Sequence, residues 1–407
     1  MRSMSETATE TGFLSPARLG GSRTEAIATG LGLTSTLGIL GLVPLLIGGY
    51  VEGYHLSLRE ASELVSIEVA AAIVTLLGIA SRMSSSSRQR VSRAGAVIGG
   101  ASYLIGASLS GFWPLVICRV ISGIGIGLIG AAVNASVARA RVPERLYATG
   151  ITMYGALETV KLFVLPQLYS TFGYWTLFAS ISALFALTAF ASSGLNDTIV
   201  AEAKTASGVV RGTLRWILAP RVAAMFLGYF LMWIAFSMIW AFAERKATSI
   251  GMSAGGIGST LAASNIVGLW GSVLANRLGT RIGRSAPIIA GSLVLATSFY
   301  LTGAGMEPKI FVTSIIAYGV AYFFILPYVL GLAVLLDHQG RVSVINSMMP
   351  WVAHLVSPLL GAAVLAHGTF YTIGAASALT MIFAASFVVA AGSQLSSRPE
   401  AAEVKVT

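Results

Sequence analysis

The amino-acid sequence predicts an all-α membrane protein in which twelve transmembrane helices form two six-helix bundles. Three observations lead to this fold class: an apolar composition, twelve apolar segments of membrane-spanning length, and one long polar connection after the sixth segment. Of the 407 residues, 55% are hydrophobic and 10% are charged, whereas ordinary soluble domains contain about 25% charged residues. Because the mean hydropathy is +0.80, we expect the lipid bilayer to surround most of the chain.

The apolar segments predict where the helices lie. About 20 consecutive apolar residues cross the hydrocarbon core as a helix, which satisfies every backbone N–H and C=O group internally. Windows of this length predict spans at residues 27–49, 62–80, 94–112, 114–137, 147–168, 174–193, 221–243, 256–275, 286–304, 310–335, 342–366 and 369–391. A signal peptide is not predicted, because the stretch from Met1 to Arg23 is polar and lacks an apolar core.

The polar segment from Gly194 to Pro220 divides the spans into two groups of six. Each half has a short basic loop between its second and third spans, and Arg82 and Arg277 in these loops are 277 − 82 = 195 residues apart. Halves of similar layout are typical of transporters built from repeats. The predicted parts are an N-terminal tail (1–26), a first bundle (27–193), a central loop (194–220), a second bundle (221–391) and a C-terminal tail (392–407).

The charged residues between the spans predict the topology. With a cytoplasmic amino terminus, the inside loops carry fifteen lysines and arginines, and the outside loops carry only Arg59, Arg245, Lys246 and Lys309. Cytoplasmic loops are enriched in basic residues, so both termini are expected to be cytoplasmic, in a cell membrane of the bacterial inner-membrane kind. The net charge of +10 does not predict a nucleic-acid partner, because the charges do not form one basic face on a soluble module.

One arginine lies inside an apolar span. Arg119 is the only charged residue between 113 and 133, and a cation near the hydrocarbon core costs roughly 2.5 to 3.5 kcal/mol on insertion scales, so it normally faces a bundle interior and has a partner. Gly123 and Gly127 share a helical face, with Gly130 three residues later, and small residues at this spacing let a neighbouring helix come close. The alternative is a packing helix whose arginine snorkels to an interface.

These features resemble the major facilitator superfamily over nearly the whole chain. The family's cytoplasmic loop motif, Gly, three residues, Asp-Arg, one residue and Gly-Arg-Arg, is similar to the second-half segment that contains Asn276, Arg277, Gly279 and Arg281, where asparagine replaces the aspartate. In the first half only Ser81-Arg82 and later arginines remain of it. The family's fourth-helix motif is similar to Leu115, Arg119, Ser122, Gly123 and Gly125 at the same spacing.

The resemblance implies a twelve-helix transporter in which the first, fourth, seventh and tenth helices line a central cavity. It implies a gating role for the loop residues Arg82, Asn276, Arg277, Gly279 and Arg281. The family's antiporter motif in the fifth helix is not found, since Ala156 occupies the place of its proline. The resemblance therefore supports transport broadly and does not support drug efflux specifically.

Four ionisable residues lie deep in the first half, and their formal charges sum to zero: Glu68, Arg119, Glu158 and Lys161. The protonation of a carboxylate in a low-dielectric site shifts easily when a cation moves nearby, as a proton-coupled carrier requires. We therefore predict that Glu68 or Glu158 takes up the proton and that Arg119 and Lys161 bind substrate. The alternative is that Glu158 and Lys161, three residues apart on one helical face, only neutralise each other.

Aromatic residues take the place of charges in the second half. We predict that they hold the apolar part of a substrate, because tyrosine and tryptophan combine an apolar face with a polar tip. The predicted residues are Trp233, Phe236 and Trp240 of the seventh span and Tyr318 and Tyr322 of the tenth. The alternative is a core or lipid-facing stripe. His354 is a predicted proton relay because its titration lies near neutral pH, the alternative being a hydrogen-bonded core residue.

Together these residues predict a secondary active transporter, expected to be a monomer, that moves a small carboxylate-bearing or aromatic organic anion with a proton, or sodium, as coupling ion. The alternative is proton-driven efflux of hydrophobic or cationic compounds. A polytopic membrane enzyme is a remote alternative, because no Ser-His-Asp spacing, metal motif or phosphate loop occurs in the sequence. Neither a metal nor another cofactor is expected.

Overall fold

The computed structural model describes residues 21–80, 82–83, 85–197, 219–336 and 341–392. Within these ranges the regular secondary structure is helical and contains no strand, so the predicted all-α class is confirmed for the described part of the chain. Most of the predicted N-terminal tail (1–20), most of the central loop (198–218), the C-terminal tail from residue 393 and Ser81 lie outside the described residues.

The described residues before the central loop belong to one compact unit, and those after it belong to a second. In the first unit the helices are α1 (Arg23–Gly41), α2 (Val43–Tyr54), α3 (Leu58–Ala80), α4 (Arg88–Gly106), α5 (Phe112–Val137), α6 (Pro143–Phe172) and α7 (Trp175–Ala191), followed by a 3-10 turn (Ser192–Gly194). In the second unit they are α8 (Pro220–Ala241), α9 (Ala243–Ser249), α10 (Ala254–Leu278), α11 (Ser285–Ala304), α12 (Pro308–Leu336), α13 (Arg341–Ala366) and α14 (Phe370–Gly392).

The first helix of each unit is interrupted at one residue, but among the described helices only that of the first unit is sharply bent there. The sequence did not predict either interruption. The predicted span 27–49 is divided by a 61° bend between α1 and α2, with Leu42 at the break. The following Pro44 lies in the first turn of α2, where a proline is tolerated because the first amides of a helix have no intrahelical partner. In the second unit α8 ends at Ala241 and α9 begins at Ala243.

Two predicted loop segments are helical instead. Arg245 and Lys246, assigned to an outside loop, lie in α9, where Lys246 is buried and its Nζ is 5.7 Å from the centre of the Phe370 ring. The predicted span 94–112 is also displaced, because α4 runs from Arg88 to Gly106. Its start lies earlier because the Ser87 hydroxyl caps the Arg90 amide, and serine is a favourable N-cap.

Nine helices of the described chain are long and apolar enough to cross a membrane, or ten if the bent pair α1 and α2 is one span. The protein is therefore a multi-pass membrane protein. The predicted count of twelve also needs α4, which begins with three arginines among its first six residues, and α6, which carries an ion pair. These charges keep both helices below the apolarity of the other spans, so the count of twelve stays a prediction.

The helices of the second unit contact one another in the same order as those of the first. The helix α5 packs on α3 and α4, as α12 packs on α10 and α11, and the pairs α1 with α6 and α8 with α13 correspond as well. Close approach in the first unit depends on Gly123 and Gly127, where an added Cβ would meet the backbone carbonyls of Glu68 and Ala72 on α3. This confirms the predicted small-residue face of the Arg119 helix.

Candidate functional site

Glu68 and Arg119 form a buried polar network inside the first unit. Arg119 Nη1 lies 3.3 Å from Glu68 Oε1, and the two side chains are 0% and 1% exposed. The Ser122 hydroxyl donates to the same carboxylate oxygen, and the Tyr103 hydroxyl donates to Oε2 at 3.0 Å. The sequence predicted the two charges, but it did not predict Tyr103, which comes from α4 and reaches the site only through helix packing.

The Arg119 guanidinium also lies against an aromatic face. Its Cζ is 4.0 Å from the centre of the Tyr103 ring, a distance at which the ring quadrupole attracts a cation. Its Nε and Nη2 atoms have no hydrogen-bond partner among the described residues. The carboxylate therefore has three donors and the guanidinium has a charge partner and a ring, which is the chemistry of a neutral packing cluster.

Glu158 and Lys161 form a second ion pair, on the face of α6 that packs on α1. Lys161 Nζ lies 2.7 Å from Glu158 Oε2, with exposed side-chain fractions of 15% and 3%. The expected pairing at i and i+3 is thus present. Lys161 Nζ is itself buried, so the exposed fraction of this side chain belongs to its carbon chain. Unlike the Glu68 carboxylate, the Glu158 carboxylate has no hydrogen-bond donor besides its ion-pair partner among the described residues.

The aromatic residues predicted in the second half do lie together within the second unit. The Trp233 ring is 5.8 Å from Phe236 and 5.9 Å from Tyr322, and Phe236 and Tyr322 are 5.0 Å apart, measured between ring centres. Tyr318 contacts Phe236 at 5.9 Å and Trp240 at 6.0 Å. Their edge-to-face and tilted contacts are the favoured geometry of aromatic pairs, so the helices α8 and α12 share one aromatic cluster.

His354 joins this cluster from α13. Its ring centre is 5.9 Å from Trp233, its Nδ1 lies 2.8 Å from the Pro350 carbonyl oxygen, and the Ser237 hydroxyl lies 3.1 Å from Nδ1 and 3.4 Å from Nε2. A neutral imidazole that donates from Nδ1 to Pro350 can accept at Nε2 from Ser237. The histidine is thus a buried, hydrogen-bonded residue at the edge of the aromatic cluster.

The residues of the predicted gating loops lie at helix ends. Arg82 is exposed in the turn after α3, and Asn276, Arg277 and Arg281 are exposed at or just beyond the end of α10. Gly279 terminates α10 with a φ of +54°, a conformation that glycine adopts without steric cost. This explains a glycine at that position of the motif; the gating role stays a proposal.

A polar clamp at the start of α4 was not predicted. Asp197, just beyond the 3-10 turn, accepts hydrogen bonds from the Ser87 hydroxyl at 2.7 Å and from the backbone amides of Arg88 and Gln89 at 2.5 and 3.4 Å. Burial raises the pKa of Asp197, but these hydrogen bonds outweigh it, so the pKa lies below its ordinary value. The clamp joins residues more than a hundred positions apart, which no local pattern reports.

Two cavities lie away from the buried ion pairs and the aromatic cluster. One, of about 490 Å³, lies at the clamp and is lined by Arg90 and Arg93 among others. The other, of about 600 Å³, is a mainly apolar groove between α11 and α12 with Lys309 at its edge. Each is lined by one unit alone, and neither involves a predicted substrate-binding residue.

Comparison with known proteins identifies relatives in fold. No protein-family model and no curated protein matches the sequence. Among solved structures, a D-xylose-proton symporter has a TM-score of 0.66 at 18% identity, with 90% of this chain and 96% of that chain covered. The nucleoside transporter NupG has a TM-score of 0.69 at 14% identity, covering 90% and 98%. A bacterial homolog of the human lysosomal transporter Spinster has 0.67 at 13%, covering 93% and 99%.

Because these identities are below 20%, the comparisons show that the chain shares a fold with these proteins and do not identify its substrate. The predicted fold is confirmed, because the chain shares it with these solved transporters. Each of these neighbours is a transporter by name.

Proposed function

We propose that this protein is a secondary active transporter that moves a small organic anion with an apolar or aromatic body across a cell membrane, coupled to a proton gradient. The observation that carries the proposal is the buried Glu158–Lys161 pair, whose carboxylate has no hydrogen-bond donor besides the lysine among the described residues. The fold that the chain shares with solved transporters supports transport. We also propose the predicted twelve spans, cytoplasmic termini, two bundles and monomeric state.

Of the two acids, we propose Glu158 as the proton acceptor. The Glu68 carboxylate accepts from Ser122 and Tyr103 and pairs with Arg119, and removing one partner from a buried pair leaves an uncompensated charge. Glu158 has Lys161 as its ion-pair partner in the described chain. A proton on Glu158 therefore releases one cation, whereas a proton on Glu68 would disrupt a four-residue network.

The released cation suggests the substrate class. Once Glu158 is protonated, Lys161 carries an uncompensated charge in a low-dielectric site, and a substrate carboxylate can supply the missing partner. The aromatic cluster supplies apolar area that favours an apolar substrate body by roughly 25 cal/mol per Å² buried. In this proposal Trp233, Phe236, Trp240, Tyr318 and Tyr322 bind that body, Arg119 stays with Glu68, and His354 holds its hydrogen bonds.

The test is uptake by the purified protein in liposomes under an imposed pH gradient, with aromatic carboxylates as probes. We expect Glu158→Gln to abolish pH-driven accumulation and Lys161→Met to abolish carboxylate binding. The control is the double variant Glu68→Gln/Arg119→Met, which removes both charges of the other buried pair and should keep pH-driven accumulation. Trp233→Ala should weaken binding of aromatic carboxylates by about tenfold, equal to about 1.4 kcal/mol, with aliphatic ones affected less.

Two results would contradict the proposal. Full accumulation by Glu158→Gln would remove the coupling role of this acid. Tight binding of a lipophilic cation that survives Lys161→Met would instead favour the alternative, efflux of hydrophobic or cationic compounds, in which both ion pairs remain neutral. A sodium gradient replacing the pH gradient separates the two coupling ions.

A further inference from the structure

The bend between α1 and α2 lies directly against the Glu158–Lys161 pair. A Cβ added at Gly38 would lie 2.6 Å from Lys161 Nζ and 2.9 Å from Glu158 Oε2, and one added at Gly41 would overlap the Glu158 carboxylate. These glycines are the last turn of α1, which the Leu42 amide closes on the Gly38 carbonyl at 3.1 Å. The pair therefore occupies a space that the two glycines leave open at the bend.

In this space, which we call the seat, the Glu158 carboxylate lies against Gly41, the last residue of α1, and Lys161 Nζ lies against Gly38. The C-terminal end of a helix carries partial negative charge from its carbonyl groups, which disfavours a carboxylate and favours a cation nearby. Lys161 therefore offsets the charge of Glu158 at the end of α1. Within the described chain, the titratable groups that face the Glu158 carboxylate are Lys161 and the Tyr154 phenol, both from α6. The helix α1 faces it with glycine backbone.

The second unit has a corresponding arrangement without charges. His354 and Ser357 follow Glu158 and Lys161 by the same offset, 354 − 158 = 196 and 357 − 161 = 196. They come from α13, which packs on α8 as α6 packs on α1. His354 contacts Ser237 and Ser357 donates to the Ile234 carbonyl at 3.4 Å, both shortly before the break at Phe242.

We propose that the Glu158–Lys161 pair acts as a latch, an ion pair that holds the α1–α2 bend in place, and that a proton on Glu158 opens this latch. Gly38 and Gly41 are positioning residues, because they leave the space in which the pair lies. The His354–Ser237 contact is the fixed counterpart at the α8–α9 break. Protonation removes the negative partner, so the ammonium leaves the seat for water or a substrate carboxylate, and α2 gains freedom to move. The choice of Glu158 rests on the proposed function, but the movement of α2 can be measured without transport.

The experiment is hydrogen–deuterium exchange of the full-length protein in detergent micelles at about pH 8 and about pH 5. After correction for the intrinsic pH dependence of amide exchange, the exchange rate reports local opening of the backbone. Peptides covering 43–54 should exchange about tenfold faster at the lower pH, equal to about 1.4 kcal/mol of local stability. Peptides covering 243–249 should not change. Glu158→Gln should exchange fast in 43–54 at both pH values, because its side chain carries no charge at either.

Gly41→Ala is the second variant, and it should speed exchange in 43–54 at about pH 8 because its Cβ displaces the carboxylate. Gly155→Ala is its matched control on α6, where an added Cβ meets no atom within 4 Å. Equal pH responses in 43–54 and 243–249, or slow pH-independent exchange of 43–54 in Glu158→Gln, would overturn the latch. If exchange in 43–54 responds to pH as expected but substrate accumulation does not depend on the pH gradient, this inference is supported and the proposed proton coupling is contradicted.

Discussion

The two units share a helix arrangement and differ in what they bury inside it. In both, the second and fourth long helices meet through glycine: Gly123 of α5 approaches the Glu68 carbonyl of α3, and Gly271 of α10 approaches the Val320 carbonyl of α12. The long helices of the first unit bury two ion pairs, whereas those of the second bury an aromatic cluster and a hydrogen-bonded histidine. The Glu244–Arg245 ion pair of the second unit lies in the short helix α9. Close packing of helix backbones at glycine thus occurs in both units, and the rest of the interior is filled by ion pairs in one unit and by aromatic side chains in the other.

This difference also separates fixed residues from exchangeable ones. Inside the first unit, the Glu68 carboxylate is held by Arg119, Ser122 and Tyr103, whereas the Glu158 carboxylate has Lys161 alone among the described residues. A buried charge is tolerated only while its partner remains, so the two ion pairs should respond very differently to substitution.

The largest expected effect is the loss of Arg119. Arg119→Ala leaves the Glu68 carboxylate buried without its cation and should lower the free energy of unfolding by about 3 to 5 kcal/mol. The measurement is thermal unfolding of the detergent-purified protein by intrinsic fluorescence. The double variant Glu68→Gln/Arg119→Met keeps the volume without the charges and should recover much of the loss. If the losses of unfolding free energy from the two single substitutions simply add in the double variant, then Glu68 and Arg119 do not stabilise the first unit through their interaction.

A smaller effect should test the packing that the two units share. Gly123→Ala and Gly271→Ala each place a Cβ against a backbone carbonyl and should destabilise by about 1 to 3 kcal/mol through overpacking. Gly78→Ala in α3 and Gly331→Ala in α12 are the controls, because an added Cβ there meets nothing within 4 Å. Destabilisation by Gly123→Ala without destabilisation by Gly271→Ala would show that the correspondence between the units does not extend to their energetics.

The smallest effect concerns the helix starts. The first unit caps α4 with Ser87 and Asp197, whereas α11 of the second unit begins at Ser285, and its N-cap residue Arg284 makes no side-chain cap hydrogen bond. Asp197→Asn should cost about 1 kcal/mol, as expected for losing charge-assisted hydrogen bonds at a partly exposed cap. Hydrogen exchange at the first turn of α4 measures it, with the exposed Glu307→Gln of the second unit as control.

The same residue predicts a pH dependence. The folded-state pKa of Asp197 lies below its ordinary value, so its contribution to stability is present above about pH 4 and is lost as the pH falls through the folded pKa. The wild-type protein should therefore lose protection at the start of α4 below about pH 4. Asp197→Asn should lack this step, and a step of equal size in the variant would assign it to another group.

The sequence by itself determined the fold class and the kinds of residue in each half. The apolar segments required membrane helices, because backbone polar groups in lipid must be satisfied within the helix. The i and i+3 spacing of Glu158 and Lys161 allowed their pairing, and the four-residue spacing of Gly123 and Gly127 required a neighbour close by. Each of these inferences depends on local geometry, so each could be made before the structure was known.

Tertiary structure alone decided the partners. Glu68 pairs with Arg119 across 51 residues, and Tyr103 joins them because α4 packs on α5, not because of any spacing in the sequence. The break at Leu42 lies where Gly38 and Gly41 contact a charged pair from α6. Asp197, near the end of the first unit in sequence, accepts a hydrogen bond from the first residue of α4. A low-dielectric interior makes such unmatched charges costly, so the fold that matches them is favoured, yet the matching itself exists only in three dimensions.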